Sequence, residues 1–179
     1  MNPQIPSVTT RPYRTPRTPR TPATAALAGL VAMLVAAPAT AAPDDALPVL
    51  TYARYEDAFN RGQIDTALEQ FTDDAVVIAG PGCTAKAPCV GKAAIREGLF
   101  VPFVANRLGV RVRQLVWDGV ELRTRVELTS DPITKAGIGR IVGSDSIQFR
   151  DGKIASLVYR PDPQDGPTYR WMNPPERKP

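Results

Sequence analysis

The sequence has no histidine and only two cysteines in 179 residues. Without histidine, a Ser-His-Asp triad and any imidazole-ligated metal site are excluded. No Gly-x-x-x-x-Gly-Lys segment occurs, which leaves a phosphate-cradling nucleotide site without support. Acid is missing from the first forty-three residues, where Arg11, Arg14, Arg17 and Arg20 stand alone. The whole chain carries 22 basic and 18 acidic residues, a net +4. Setting the four leader arginines aside leaves 18 of each, so the basic footprint of a nucleic-acid binder is absent. The longest apolar run, about Ala25 to Ala37, falls short of the roughly 20 residues that span a bilayer. Nothing in the composition calls for a cofactor.

The leader is informative by its order: basic residues, an apolar run, then the small-x-small site Ala39-Thr40-Ala41. That order describes a secretory signal peptide over residues 1–41, with the product secreted or periplasmic and off the membrane after cleavage. A retained anchor, or a start codon placed too early, are the alternatives. No Arg-Arg pair and no cysteine at the cleavage site point to a twin-arginine or lipoprotein route. About 138 residues follow, enough for one domain. Cys83 and Cys89 are an even, closely spaced pair, which in an exported chain reads as one disulfide pinning a loop; free thiols, or a metal or redox role, are the alternatives. Six of the nineteen residues beyond Arg160 are proline, which predicts a mobile or draped tail over 161–179 after a domain over 42–160.

The domain's clearest periodicity runs from Tyr52 to Ile78. Tyr52, Tyr55 and Phe59 fall at i, i+3 and i+7, with Ala58 beside them, so they share one helix face. Asn60-Arg61-Gly62 ends that helix, since glycine accepts the left-handed backbone of a C-terminus. Ile64, Ala67, Leu68 and Phe71 repeat the spacing over a second helix. Asp73-Asp74 is read as its break, and Val76-Val77-Ile78 as the start of a strand. Gly91 to Phe100 reads as a third helix, with Ile95, Leu99 and Phe103 at fourfold spacing and a kink or end near Val101 imposed by Pro102. Four strands follow, at 110–118, 120–129, 139–150 and 153–159. Asp118-Gly119 and Asp151-Gly152 mark tight hairpins between them. The fold class is α+β.

Alternation assigns faces to the strands. Ile141, Gly143, Asp145, Ile147 and Phe149 share one side, and Arg140, Ser144, Ser146 and Gln148 the other. Asp145 is thus an acid on an apolar face, which must keep its proton or find a donor or cation, with Arg140 or Arg125 the nearest candidates. On the preceding strand Leu122, Thr124, Val126 and Leu128 form the apolar side. Glu121, Arg123, Arg125 and Glu127 form a polar row read as a solvated face with cross-strand ion pairs.

The run Ala53-Arg54-Tyr55, Asn60-Arg61-Gly62-Gln63-Ile64-Asp65 and Phe71-Thr72-Asp73-Asp74-Ala75-Val76-Val77, followed by Gly91-Lys92-Ala93-Ala94-Ile95-Arg96, resembles the SnoaL-like branch of the nuclear transport factor 2 superfamily. Its relatives include the ketosteroid isomerases and the limonene-type epoxide hydrolases. The resemblance covers about Val49 to Tyr159. It implies a cone, a curved antiparallel sheet wrapped around three N-terminal helices, with one pocket and dimerisation through the sheet. Gln63 stands where the family usually carries a capping aspartate.

By the isomerase pattern, Tyr55 falls on the helix tyrosine and Asp145 on the protonated aspartate that together hold the substrate oxygen. The base position falls on Ala79, which cannot take a proton, so isomerisation by the family's own mechanism is not expected. Tyr52, Phe59, Ile141, Ile147 and Phe149 are the expected pocket walls. The epoxide-hydrolase pattern maps more loosely, onto Arg125, Glu127 and Tyr159. Two functions stay open: a module that binds a small hydrophobic, oxygen-bearing molecule, and an isomerase, cyclase or hydrolase whose base is relocated, for example to Asp74 or Glu127. A protein-interaction domain with a filled pocket is the third.

Overall fold

A computed structural model describes residues 46–174. The expected signal peptide and cleavage site, and the last five residues, lie outside the described residues. Helix α1 (Ala46–Asn60) begins six residues ahead of the periodic segment and buries Tyr52, Tyr55, Ala58 and Phe59 as that periodicity requires. Gly62, at φ +71°, closes it. Its N–H donates to Phe59 O and the next N–H to Ala58 O, so two terminal carbonyls are satisfied. Helix α2 (Ile64–Glu69) follows, and Gln63 makes no side-chain bond to cap it.

Phe71 belongs not to α2 but to strand β1 (Phe71–Ile78), which also contains Asp73 and Asp74. The two acids do not break the chain. They sit exposed where the pairing register of β1 shifts between Phe71 and Val76, and an irregular strand tolerates an outward acid pair.

The sheet has six strands among the described residues, in the order β2-β1-β6-β5-β4-β3, and is curved and unclosed. They are β1, β2 (Cys89–Val90), β3 (Gly109–Trp117), β4 (Glu121–Thr129), β5 (Ile141–Arg150) and β6 (Lys153–Pro161). Every pairing is antiparallel except β1 with β6, which run parallel and join the two ends of the domain. The β5–β6 hairpin turns on Asp151 and Gly152 at φ +53° and +72°, the two left-handed positions that an Asp-Gly turn supplies.

The third helical segment does not end at Val101 but changes its winding there. It runs as α3 (Gly91–Ile95), one π-turn over Arg96–Phe100, and α4 (Val101–Ala105). Pro102 has no N–H for the carbonyl four residues back, and the helix widens so that Val101 N–H reaches Arg96 O. The π-turn carries Gly98, where a Cβ would lie 2.5 Å from Cys89 Sγ, so the bare backbone is what lets the disulfide loop pack there.

Two short helices complete the fold. Ser130 caps α5 (Asp131–Lys135) by accepting from Ile133 N–H. The tail is not a loose extension as far as Pro174: Asp165 caps α6 (Gly166–Met172). Thr168, fully buried, accepts from Val142 N–H at 2.7 Å and ties α6 to β5. No helix of the described residues is long and apolar enough to cross a membrane.

Candidate functional site

Strand register brings the site together. Thr124 on β4 lies opposite Asp145 on β5, which lies opposite Tyr159 on β6. Helix α1 crosses this row with Tyr52, Tyr55 and Glu56. The interior is split into two apolar clusters: one around α1, β1, the π-turn and β6, the other around Val126, Leu128, Ile133, Ile138 and Ile141. Between them lies a cavity of about 600 Å³. It is walled by Tyr52, Tyr55, Phe59, Leu99, Phe103, Val126, Leu128, Ile141, Leu157 and Tyr159, and reaches Trp171 and Met172 of α6.

Asp145 is 8 % exposed and pairs with no arginine among the described residues. Arg140 is taken by Glu127 and Asp165, and Arg125 by Asp162. Its Oδ2 instead accepts from Thr124 Oγ1 at 2.9 Å and from Tyr52 Oη at 3.4 Å. Burial pushes the carboxyl up to about 6, the two hydrogen bonds hold it from rising further, and the charge of Glu56 adds to the rise. Burial and the neighbouring Asp145 also push the Tyr52, Tyr55 and Tyr159 hydroxyls above the ordinary phenol range, so all three keep their protons.

Tyr55 and Asp145 therefore share one cavity, but Tyr52, one turn earlier on α1, holds the carboxyl. The Tyr55 ring stands edge-on to Phe71 at 5.3 Å and stacks on Phe100 at 6.2 Å. Its hydroxyl has no hydrogen-bond partner among the described residues. The buried Tyr159 Oη has none either. Gly143 makes room for it: a Cβ there would lie 2.3 Å from the Tyr159 ring.

The other expected site residues divide. Tyr52, Phe59 and Ile141 line the cavity. Ile147 is fully buried in the core instead, and Phe149 packs edge-on to Trp117 at 6.0 Å, because the cavity closes before that end of β5. Arg125 and Glu127 do not line it. Glu127 lies between Arg113 and Arg140 on the outward side, as the alternation of β4 requires. Asp74 is exposed and bonded to Arg150. Ala79 does line the cavity, its N–H donating to Cys83 O at 2.8 Å. Cys83 and Cys89 form the expected disulfide, and the loop that it closes contributes Thr84 and Ala85 to the wall.

Glu56 is the lining carboxylate that the sequence reading passed over. It stands four residues after Tyr52 on the buried side of α1, and that spacing was the available signal. Burial raises its pKa against hydrogen bonds from the Val112 backbone and Asn60. Among the described residues no cluster of acids and cysteines could hold a metal ion.

The profile of the SnoaL-like domain family matches residues 52–157. No curated protein shows a significant match to the sequence. Among solved structures, Bal32a from a soil-derived mobile gene cassette is 19% identical, with a TM-score of 0.58, covering 73% of this chain and 98% of its own. The epoxide hydrolase/cyclase-like enzyme SalBIII, of pyran ring formation in the polyether salinomycin, is 23% identical, with a TM-score of 0.56 over 68% of this chain and 95% of its own. A Mycobacterium tuberculosis protein in complex with estradiol-17beta-hemisuccinate is 16% identical, with a TM-score of 0.54 over 63% of this chain and 92% of its own.

Proposed function

The chain belongs to the SnoaL-like domain family, and from that premise we propose that it binds a small hydrophobic, oxygen-bearing molecule in the cavity between α1 and the sheet. The observation that carries this reading is the Tyr55 phenol, which has no hydrogen-bond partner among the described residues, on the wall of an apolar cavity of about 600 Å³ beside the buried, unpartnered Tyr159 Oη. A buried hydroxyl without a partner is costly, and a ligand carbonyl, ether or phenolic oxygen removes that cost. That volume lies within the range of pockets that hold drug-sized ligands. A protein of the same fold from Mycobacterium tuberculosis holds a steroid ester. Export of the domain is part of the same reading and is supported by the disulfide.

The test is a thermal-shift panel of steroid-like and polyketide-like ketones on the mature protein. Stabilisation that weakens in Tyr55→Phe and Tyr159→Phe is expected. A flat response across the panel overturns the reading.

Glu56 favours a second reading, in which the cavity performs acid-base isomerisation, cyclisation or epoxide chemistry with this carboxylate as the base that Ala79 cannot be. Deuterium incorporation next to the carbonyl of a bound ketone, lost in Glu56→Gln, is its signature. No incorporation with saturating ligand excludes it.

A further inference from the structure

The charges on the cavity wall are of one sign. Asp145 and Glu56 line it, and no lysine or arginine does among the described residues. The arginines nearest in sequence are committed elsewhere: Arg125 to Asp162, Arg113 to Glu127, and Arg140 to Glu127 and Asp165. Both hydrogen bonds to Asp145 end on Oδ2, which leaves its Oδ1 without a donor among the described residues. Tyr55, nine-tenths buried, has a free hydroxyl that can accept as well as donate. The wall is also rich in aromatic faces, which attract a cation through the negative face of the ring.

We infer that the ligand of this cavity is a hydrophobic amine that also carries an oxygen function, bound as its ammonium ion. This rests on the reading that the cavity is a binding site. The ligand's oxygen lies against the phenols, while its ammonium N–H donates to Asp145 Oδ1 and finds a second negative charge in Glu56. Phe59 and Trp171 supply apolar and aromatic cover. An anionic ligand meets two carboxyls and no cation, and is rejected. A neutral one satisfies the phenols but leaves Asp145 Oδ1 without its donor.

The ionisable groups facing Asp145 are Tyr52, Tyr55 and Glu56 from α1 and Tyr159 from β6, with the Thr124 hydroxyl from β4. The phenols stay neutral, so the pH response of binding is that of the two carboxyls.

The experiment uses three compounds on one steroid-sized frame: a ketone, the same ketone with a tertiary amine, and the same ketone with a carboxylate. Titration calorimetry on the mature protein at pH 8 is expected to rank the amino-ketone about tenfold tighter than the ketone, and the carboxylate weakest. On lowering the pH through 6, the amino-ketone weakens as Asp145 takes up a proton, while the ketone does not. Glu56→Gln narrows the ratio of amino-ketone to ketone. Equal affinity of the two compounds at pH 8, or the same pH response for both, overturns the inference and leaves the binding reading standing. No binding by any of the three overturns both.

Discussion

Tyr52, on the first helix, donates to Asp145 on β5 across 3.4 Å, while Tyr55, which the family resemblance pairs with Asp145 on a ligand oxygen, makes no bond to it. The two tyrosines lie side by side, ring centroids 5.8 Å apart, and divide the work. Tyr52 satisfies the buried acid, and Tyr55 keeps its hydroxyl free in the cavity.

That division separates two substitutions. Tyr52→Phe removes a donor from a buried carboxyl and is expected to cost about 1 to 2 kcal/mol of stability. It also moves the Asp145 titration upward, since that bond lowers its pKa. Tyr55→Phe is expected to change stability by under about 0.5 kcal/mol and to act on ligand affinity instead. Urea denaturation of both variants checks the contrast, and equal destabilisation refutes it.

Asp145 makes stability depend on pH. Its carboxyl titrates near 6 in the fold against an ordinary value of 3.8, so the folded chain holds the proton more tightly. Its contribution is full below about 3.8 and is lost as pH rises through about 6, a loss on the order of 2 to 3 kcal/mol. Asp145→Asn carries no such titration. Its stability relative to the parent is expected to improve between pH 4 and pH 7, by denaturant midpoints at the two pH values.

Gly143→Ala places a methyl 2.3 Å from the Tyr159 ring. The ring has to swing into the cavity or β5 has to shift, which costs about 1 to 3 kcal/mol. Reduced melting temperature together with weaker ligand binding is the expected pair of effects. Unchanged binding shows that Tyr159 is not part of the wall that matters.

The Cys83–Cys89 loop is short, so its entropic contribution is modest, about 2 kcal/mol. Reduction, or replacement of both cysteines by serine, is expected to lower the melting temperature by a few degrees. Ligand affinity falls too, because Thr84 and Ala85 line the cavity. Melting curves with and without reductant measure the first effect, and calorimetry the second.

Thr168→Val leaves the buried Val142 N–H without its 2.7 Å acceptor and unfastens α6 from β5. A loss of about 1 to 3 kcal/mol is expected. Faster amide exchange confined to α6 and the end of β5, read by mass spectrometry, distinguishes local release from global destabilisation.

Local rules made much of this chain legible from its sequence. The i, i+3, i+7 aromatics define α1, Gly62 ends it, Asp151-Gly152 turns the last hairpin, and alternation puts Asp145 inward and Glu127 outward, because each depends on residues a few positions apart. The start signals of α5 and α6, Ser130 with Pro132 and Asp165 with Pro167, are equally local. Tertiary structure decided the rest. The parallel pairing of β1 with β6, the bond from Tyr52 to Asp145 93 residues further on, and the arrival of Trp171 at the cavity join positions far apart in the chain. No periodicity encodes those distances; they follow from how the sheet curves around its helices and how much space the side chains leave between them.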